Sequence, residues 1–368
     1  MTRLVIVHTE SSCGWGGQEL RIIDESEGFL EKGHKVTIAA PAESRIIEEA
    51  RKRSVPVAAL PIARRSISGL RAMRGYLASR RIDVVNTHSS TDSWLASLAA
   101  KFIKAPPKLV RTRHVSAPIP RNWPSRWLYR SAVAHVVTTG IALRSQVIRE
   151  TGLDESRVTS VPTGIDLERF FPGDRDAARA LLGISPDDCL VGVVATLRSW
   201  KGHRYLVEAF AALGDTGSRL VIVGDGPGAD NLRHQIEELG IKDRVMLPGN
   251  QADVVPWLRS MDIFALPSYA NEGVPQAIMQ AQACGIPVIS TAVGSIDEII
   301  SHGATGLLVP PRNAVALAEA IVRLKEDPEL CGRLAQSAQC QARERYSATI
   351  MIGAMQKVFL GVLNRSPS

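Results

Sequence analysis

Glu272 is the acid best placed for chemistry in this 368-residue chain. It stands in Tyr269-Ala270-Asn271-Glu272-Gly273-Val274-Pro275-Gln276, between a strand-like run, Ile263 to Leu266, and a helix of small and apolar residues that stops at Cys284-Gly285. A further strand, Pro287 to Ser290, follows. In a parallel sheet, ligands bind beyond the carboxyl ends of the strands. The loop therefore offers Glu272 and the free N–H groups of a helix start to anions and sugar hydroxyls. Arg198 and Lys201, in Arg198-Ser199-Trp200-Lys201-Gly202, follow another strand. Two cations there can neutralise a diphosphate and the charge that grows on it as a leaving group.

Three further groups sit at strand ends. Gly14-Trp15-Gly16-Gly17 follows the first strand and opens a helix expected from Glu19 to Lys32, so Gly16 and Gly17 let the backbone approach a phosphate. His88 closes Val84–Asn86, and His114 follows Leu109–Thr112. Neither has a Cys, Asp or His at ligand spacing, which argues against a metal. Gly224-Asp225-Gly226-Pro227-Gly228-Ala229 satisfies a dinucleotide fingerprint formally. It follows the second strand of its series rather than the first, and Pro227 occupies the tight turn, so a nicotinamide enzyme is disfavoured.

These residues need a scaffold of stacked strand–helix–strand units, and the chain supplies one. Short β-branched runs alternate with amphipathic stretches, the pattern of parallel sheets. A first series is expected at Leu4–Val7, Val36–Ala39, Val57–Leu60, Val84–Asn86, Leu109–Thr112, Val136–Thr138 and Val158–Val161. A second is expected at Leu190–Ala195, Leu220–Val223, Val245–Leu247, Ile263–Leu266, Val288–Ser290 and Leu307–Val309. Pro162 to Gly173, bounded by prolines, reads as the hinge between domains 1–165 and 166–345. A last helix, over 346–368, carries Met351, Met355, Val358 and Val362 at helical spacing.

The net charge of +7 is unevenly shared. Residues 1–165 hold 25 Lys and Arg against 14 Asp and Glu, whereas residues 166–368 hold 19 against 23. No acid lies between Glu49 and Asp83 or between Asp92 and Glu150. Such a surface calls for an anionic partner. In Arg64 to Arg81, Leu70, Met73 and Leu77 mark one helical face and Arg71, Arg74 and Arg81 another. Arg121 to Arg130 mixes cations with Trp123 and Trp127. An anionic bilayer fits this mixture. A solvated basic face is the alternative, and nucleic acid is a weaker one because no recognition motif accompanies the charge. Five cysteines without C-x-x-C spacing suit a reducing cytoplasm. The early polar residues suggest no signal peptide, and no run reaches the roughly 18–20 apolar residues of a spanning helix.

The segment around Glu272 closely resembles the sugar-nucleotide motif of retaining glycosyltransferases of the GT-B fold, family 4 type. Those proteins carry Glu-x7-Glu, beginning Glu-Gly-x-Pro. Gln280 stands here at the second acid. Gly-Gly-x-Glu around Gly16 and Glu19, and Lys201-Gly202 of the Gly-Arg-Leu-x-x-x-Lys-Gly pattern, also match. Thr196 takes the place of that pattern's Arg, and Arg198 is expected to supply the guanidinium.

The resemblance implies two Rossmann-like α/β domains facing across a cleft, with the last helix crossing back to the first domain. It implies that Gly16 and Gly17 face the donor diphosphate, that His114 lies against the donor sugar, and that Gly224 helps form the nucleotide site. Gln251 marks the loop whose backbone meets the base. Glu272 would hold sugar hydroxyls, Gly273, Val274, Pro275 and Gln276 would bring backbone toward the phosphates, and Gln280 would meet the ribose. His88 and Glu19 are candidates on the acceptor side.

The reaction implied is transfer of a hexose from a UDP- or GDP-linked donor to a glycan or lipid-linked acceptor, with retention and without metal or other cofactor. The basic first domain points to a lipid-linked or lipopolysaccharide acceptor at the inner face of a bacterial membrane. A sugar-nucleotide-binding protein without transferase activity is the other class that the departures at Thr196 and Gln280 leave open.

Overall fold

Runs such as Cys189–Val194 and Ser218–Val223 are apolar almost throughout, as strands covered on both faces must be. In the computed structural model, which describes residues 3–270 and 272–365, such runs form two separate parallel sheets. Asn271 of the Glu272 loop and residues 366–368 of the last segment lie outside the described residues. The chain divides into two units, Met1–Gly164 with Ala348–Ser368, and Ile165–Ser347.

The first unit holds β1 (Val5–Thr9), β2 (Lys35–Ala40), β3 (Val57–Ala59), β4 (Val84–Thr87), β5 (Lys108–Arg113), β6 (His135–Thr138) and β7 (Val158–Ser160). Their order across the sheet is β3-β2-β1-β4-β5-β6-β7. β1 extends beyond the apolar run expected from hydropathy because His8 and Thr9 keep pairing, against Asn86 and Thr87 of β4. Both polar residues are buried. The helix Ala348–Asn364 belongs to this unit. Its Met351, Met355, Phe359 and Val362 share a core with Leu4, Ile6, Phe29 and Val137. Gly28, inside the helix Gly17–Glu31, permits the approach, since a Cβ there would stand 1.9 Å from Ile352 Cδ1.

The second unit holds β8 (Cys189–Val194), β9 (Ser218–Val223), β10 (Val245–Gly249), β11 (Ile263–Leu266), β12 (Val288–Thr291) and β13 (Leu307–Val309). Its order is β10-β9-β8-β11-β12-β13. Each sheet thus reverses its winding once, between β1 and β4 and between β8 and β11. Such reversal points are where doubly wound sheets open a crevice for ligands. All five cysteines are unpaired. Among the described residues, no helix is long and apolar enough to cross a membrane.

One face expected to be available is occupied. In the helix Ile67–Ala78, Met73 and Leu77 are buried in the first unit's core, so the apolar side of this basic stretch turns inward. The arginines remain outside, joined by exposed Ile67, Phe102 and Trp123.

Candidate functional site

At the reversal point of the second unit, the loops after β8 and β11 are tied together. The Tyr269 N–H donates to the Trp200 carbonyl, 2.8 Å. Gly202 adopts φ +76°, and a Cβ there would stand 2.0 Å from the Pro267 carbonyl oxygen, so a side chain would push the loops apart. This tie brings Lys201 onto Glu272. The Lys201 ammonium lies 2.8 Å from Oε1 and 3.0 Å from Oε2, and Ser268 Oγ donates to Oε1 at 2.6 Å. Glu272 is buried while Lys201 keeps partial exposure. Sequence reasoning gave these two residues separate ligand partners. It missed both their pairing and Ser268, because contact between them depends on β8 and β11 being neighbours.

Arg198 is exposed, its guanidinium 5.3 Å from the centre of the Trp200 ring. It also lines a cavity of about 760 Å³ with Tyr205, Pro227, Tyr269 and Arg312. Lys201 and Glu272 lie outside that lining. Val274 and Pro275 are buried and lead into the helix Gln276–Ala283, with Gly273 accepting from the Ser295 N–H at 3.4 Å. Gln280, on that helix, is half-buried. Gly224 donates its N–H to the Gly249 carbonyl, 2.9 Å, joining the ends of β9 and β10. Gln251 turns back to the Pro248 carbonyl, 2.8 Å.

The first unit's reversal point carries a line of neutral rings. His8 from β1, His88 after β4 and His114 after β5 form a line across three neighbouring strands. His8 Nδ1 is 3.0 Å from His88 Nε2, and His88 Nδ1 is 2.9 Å from His114 Nε2. Burial holds His8 down at about 3 and keeps His88 and His114 well below the ordinary imidazole range. His88, expected at an open strand end, has both ring nitrogens engaged by histidines. His8 escaped sequence reasoning because it looked like the polar end of a strand.

Asp92 accepts from Thr9 Oγ1, 2.6 Å, and from the His88 and Ser89 N–H groups, 2.9 Å each, capping the helix Ser90–Ala100. Its carboxyl is pushed up by burial and by Glu10. Gly16 caps the helix Gly17–Glu31, so Glu19 falls at the third position of its first turn. Its carboxylate turns back to the Gly16 backbone, the reach expected of an acid there. Burial raises Glu19 to about 7.

Beside His114 lies a cavity of about 600 Å³ lined by Arg65, Ser89, Ser90, Trp94, Arg111, Arg113 and Tyr129, among others. Arg111 is 5% exposed, lies 4.8 Å from the Tyr129 ring centre, and its Nε has no hydrogen-bond partner. Arg113 donates to the Tyr129 hydroxyl at 2.7 Å, and Arg65 to Ser90 Oγ at 2.9 Å. Among the described residues, no carboxylate is ion-paired with any of these three guanidiniums. The acid-free stretch between Asp92 and Glu150 was the sequence signal for it.

Residues 15–169 match the model of Glycosyltransferase Family 4, and residues 174–341 match that of Glycosyl transferases group 1. The chain belongs to the family 4 type of GT-B glycosyltransferases. Among solved structures, this GT-B chain is similar to a glycosyltransferase of Rickettsia africae ESF-5, with TM-score 0.89 and 20% identity over all of both chains. It is also similar to Anabaena Alr3699/HepE in complex with UDP-glucose, with TM-score 0.87 and 20% identity over 98% of this chain and 100% of the other. At that identity the likeness is one of fold. D-inositol 3-phosphate glycosyltransferases of Mycobacterium bovis and Mycobacterium tuberculosis are 35% identical over 211 residues, 55% of this chain and 43% of theirs. The chain thus spans less than half the length of these curated relatives.

Proposed function

We propose that the protein transfers a hexose, with retention, from a UDP- or GDP-linked donor to a lipid-linked or glycan acceptor that carries phosphate. The observation that carries this reading is the Lys201–Glu272 pair at the β8–β11 reversal, with Arg198 exposed three residues before Lys201. A sugar hydroxyl donates to Glu272, as hydroxyls do to buried carboxylates. Lys201 and Arg198 take up the charge of the diphosphate as it leaves. The bond from the anomeric carbon to the diphosphate oxygen breaks while the acceptor oxygen bonds on the same face. The acceptor's proton passes to the departing diphosphate. No metal takes part in this scheme, because the cations are supplied by the chain.

The unpaired guanidiniums Arg65, Arg111 and Arg113 suit a phosphate on the acceptor. The inositol phosphate in the relatives' name and the UDP-glucose bound by the Anabaena protein support the same two substrate classes. Exposed Trp123 and Phe102 among arginines suit docking on the anionic inner face of a bacterial membrane, within the cytoplasm. A role in lipopolysaccharide or exopolysaccharide synthesis follows from such an acceptor.

Thermal-shift screening against UDP-, GDP- and ADP-hexoses identifies the donor, since a ligand of the folded state raises Tm. Transfer and hydrolysis assays with that donor then test the reaction. Donor binding without transfer to any phosphorylated acceptor favours a sugar-nucleotide-binding protein, the reading that Thr196 and Gln280 support.

A further inference from the structure

The histidine line ends on a buried acid. His8 Nε2, the nitrogen not used toward His88, lies 3.9 Å from Glu25 Oε1 and has no hydrogen-bond partner. Glu25 and His8 are fully buried, and the other Glu25 oxygen lies 3.6 Å from Arg21 Nε. The order along the line is therefore Glu25, His8, His88, His114, and His114 lines the 600 Å³ cavity. The groups facing Glu25 are Arg21 on its own helix, His8 on β1 and Asn86 on β4.

Neutral imidazole carries one proton, so one ring nitrogen donates and the other accepts. Three rings in a line then have two consistent arrangements. In the first, every ring donates toward Glu25. His8 Nε2–H points to the carboxylate, His88 Nε2–H donates to His8 Nδ1, His114 Nε2–H donates to His88 Nδ1, and His114 Nδ1 is a bare lone pair. In the second, every ring donates the other way and His114 Nδ1 carries the proton. Burial raises the Glu25 carboxyl to about 7; above that pH it is a carboxylate, which only accepts, so the second arrangement sets a lone pair against a negative charge. Arg21 and burial keep all three rings neutral, and the line carries a choice of tautomer instead of a charge.

We propose that Glu25 is a remote positioning residue: through His8 and His88 it sets the tautomer of His114, leaving Nδ1 free to accept a hydrogen bond from a sugar hydroxyl. The sugar-hydroxyl part of this inference rests on the transfer reading above, whereas the tautomer itself does not. The fold makes the line possible by placing one imidazole at the carboxyl end of each of β1, β4 and β5, with ring centres 5.3 and 5.2 Å apart.

Nitrogen-15 correlation spectra of the histidine rings in the full chain, without substrate and at about pH 8, where Glu25 is ionised, test it directly. The expected wild-type spectrum shows His114 protonated at Nε2 and bare at Nδ1, and the opposite tautomer overturns the proposal. In Glu25→Gln the amide oxygen stays toward Arg21 and the NH2 group turns to His8, so the arrangement reverses and His114 Nδ1 gains the proton. An unchanged His114 spectrum in that variant overturns the proposal. His88→Phe cuts the line, and Glu25→Gln should have no effect on His114 in that background. A residual effect there would mean that Glu25 acts by another route.

In transfer assays Glu25→Gln should lower kcat about tenfold or more, with donor KM unchanged, because a misplaced proton removes an acceptor without emptying the donor site. Loss of donor affinity in place of turnover contradicts a tautomer role. If transfer itself is absent, the spectra still decide the tautomer, so failure of the two readings can be told apart.

Discussion

The two reversal points share a topology and a location at the carboxyl edges of parallel strands, yet they arrange charge differently. In the second unit, a cation and an acid meet directly, Lys201 on Glu272, and Arg198, three residues before Lys201, is exposed. In the first, a line of neutral rings runs between a fully buried Arg21–Glu25 pair and the cavity that holds Arg65, Arg111 and Arg113, and burial raises Glu19 and Glu25 to about 7. A charged edge suits a diphosphate that arrives and leaves. A buried line of neutral rings suits fixed hydrogen bonds that choose among hydroxyls, because unpaired polar groups there are costly. One architecture thus divides the work between electrostatics and hydrogen-bond geometry.

The largest effect expected falls on the charged edge. Glu272→Ala should lower kcat/KM by more than tenfold, a transition-state loss above about 1.4 kcal/mol, with circular dichroism unchanged. Retained activity would show that the pair is structural and erase the contrast. Lys201→Ala should be far more damaging than Lys242→Ala, whose ammonium pairs with Glu237 at the surface. Activity should also survive excess EDTA; loss with EDTA and rescue by Mg²⁺ would assign the diphosphate to a metal instead.

A smaller effect is expected at Gln280. If it meets the ribose, Gln280→Glu replaces a neutral acceptor by a charged one and should tighten nucleotide binding about threefold to thirtyfold by calorimetry. An unchanged Kd would remove Gln280 from the site.

The pH dependence sharpens the comparison further. Glu19 and Glu25 rise from 4.5 to about 7 on folding, so their contribution to stability is complete below 4.5 and is lost as pH rises through 7. His8 falls from 6.5 to about 3, so its contribution is complete above 6.5 and is lost as pH falls through 3. The second unit has a comparable histidine, His203, lowered to about 4, but its raised groups are thiols such as Cys189 at about 11. Between pH 6 and 8, opening free energies from amide exchange should therefore fall for β1, β4 and β5 while those of β8 and β11 hold. Equal falls in both units would contradict the contrast.

Much of this was legible in the sequence. Strands such as β1, β6, β8 and β9 announce themselves as apolar, largely β-branched runs, since parallel strands buried on both faces need no polar alternation. Glu272, Lys201 and the glycine loops were legible because each lies at a strand end beside a chain-reversal signal. The pairing of Lys201 with Glu272, the line from Glu25 to His114 and the seat of Arg111 on the Tyr129 ring were not. Each joins residues brought together by the order of strands in the sheet, and hydropathy along the chain does not encode that order. The basic helix Ile67–Ala78 was ambiguous for a related reason. Its apolar stripe is the same whether it faces a core or a bilayer, and here Met73 and Leu77 face the core.

The helix Ala348–Asn364 completes a unit that begins at the other end of the chain. During synthesis the strands of the first unit leave the ribosome early, but the apolar surface around Leu4, Ile6 and Phe29 has no cover until the last helix emerges. At about 5–20 residues per second, making the intervening second unit delays that cover by roughly 10–40 s. The unit translated first is thus the one finished last, and it depends on its neighbour being made without error before it can close.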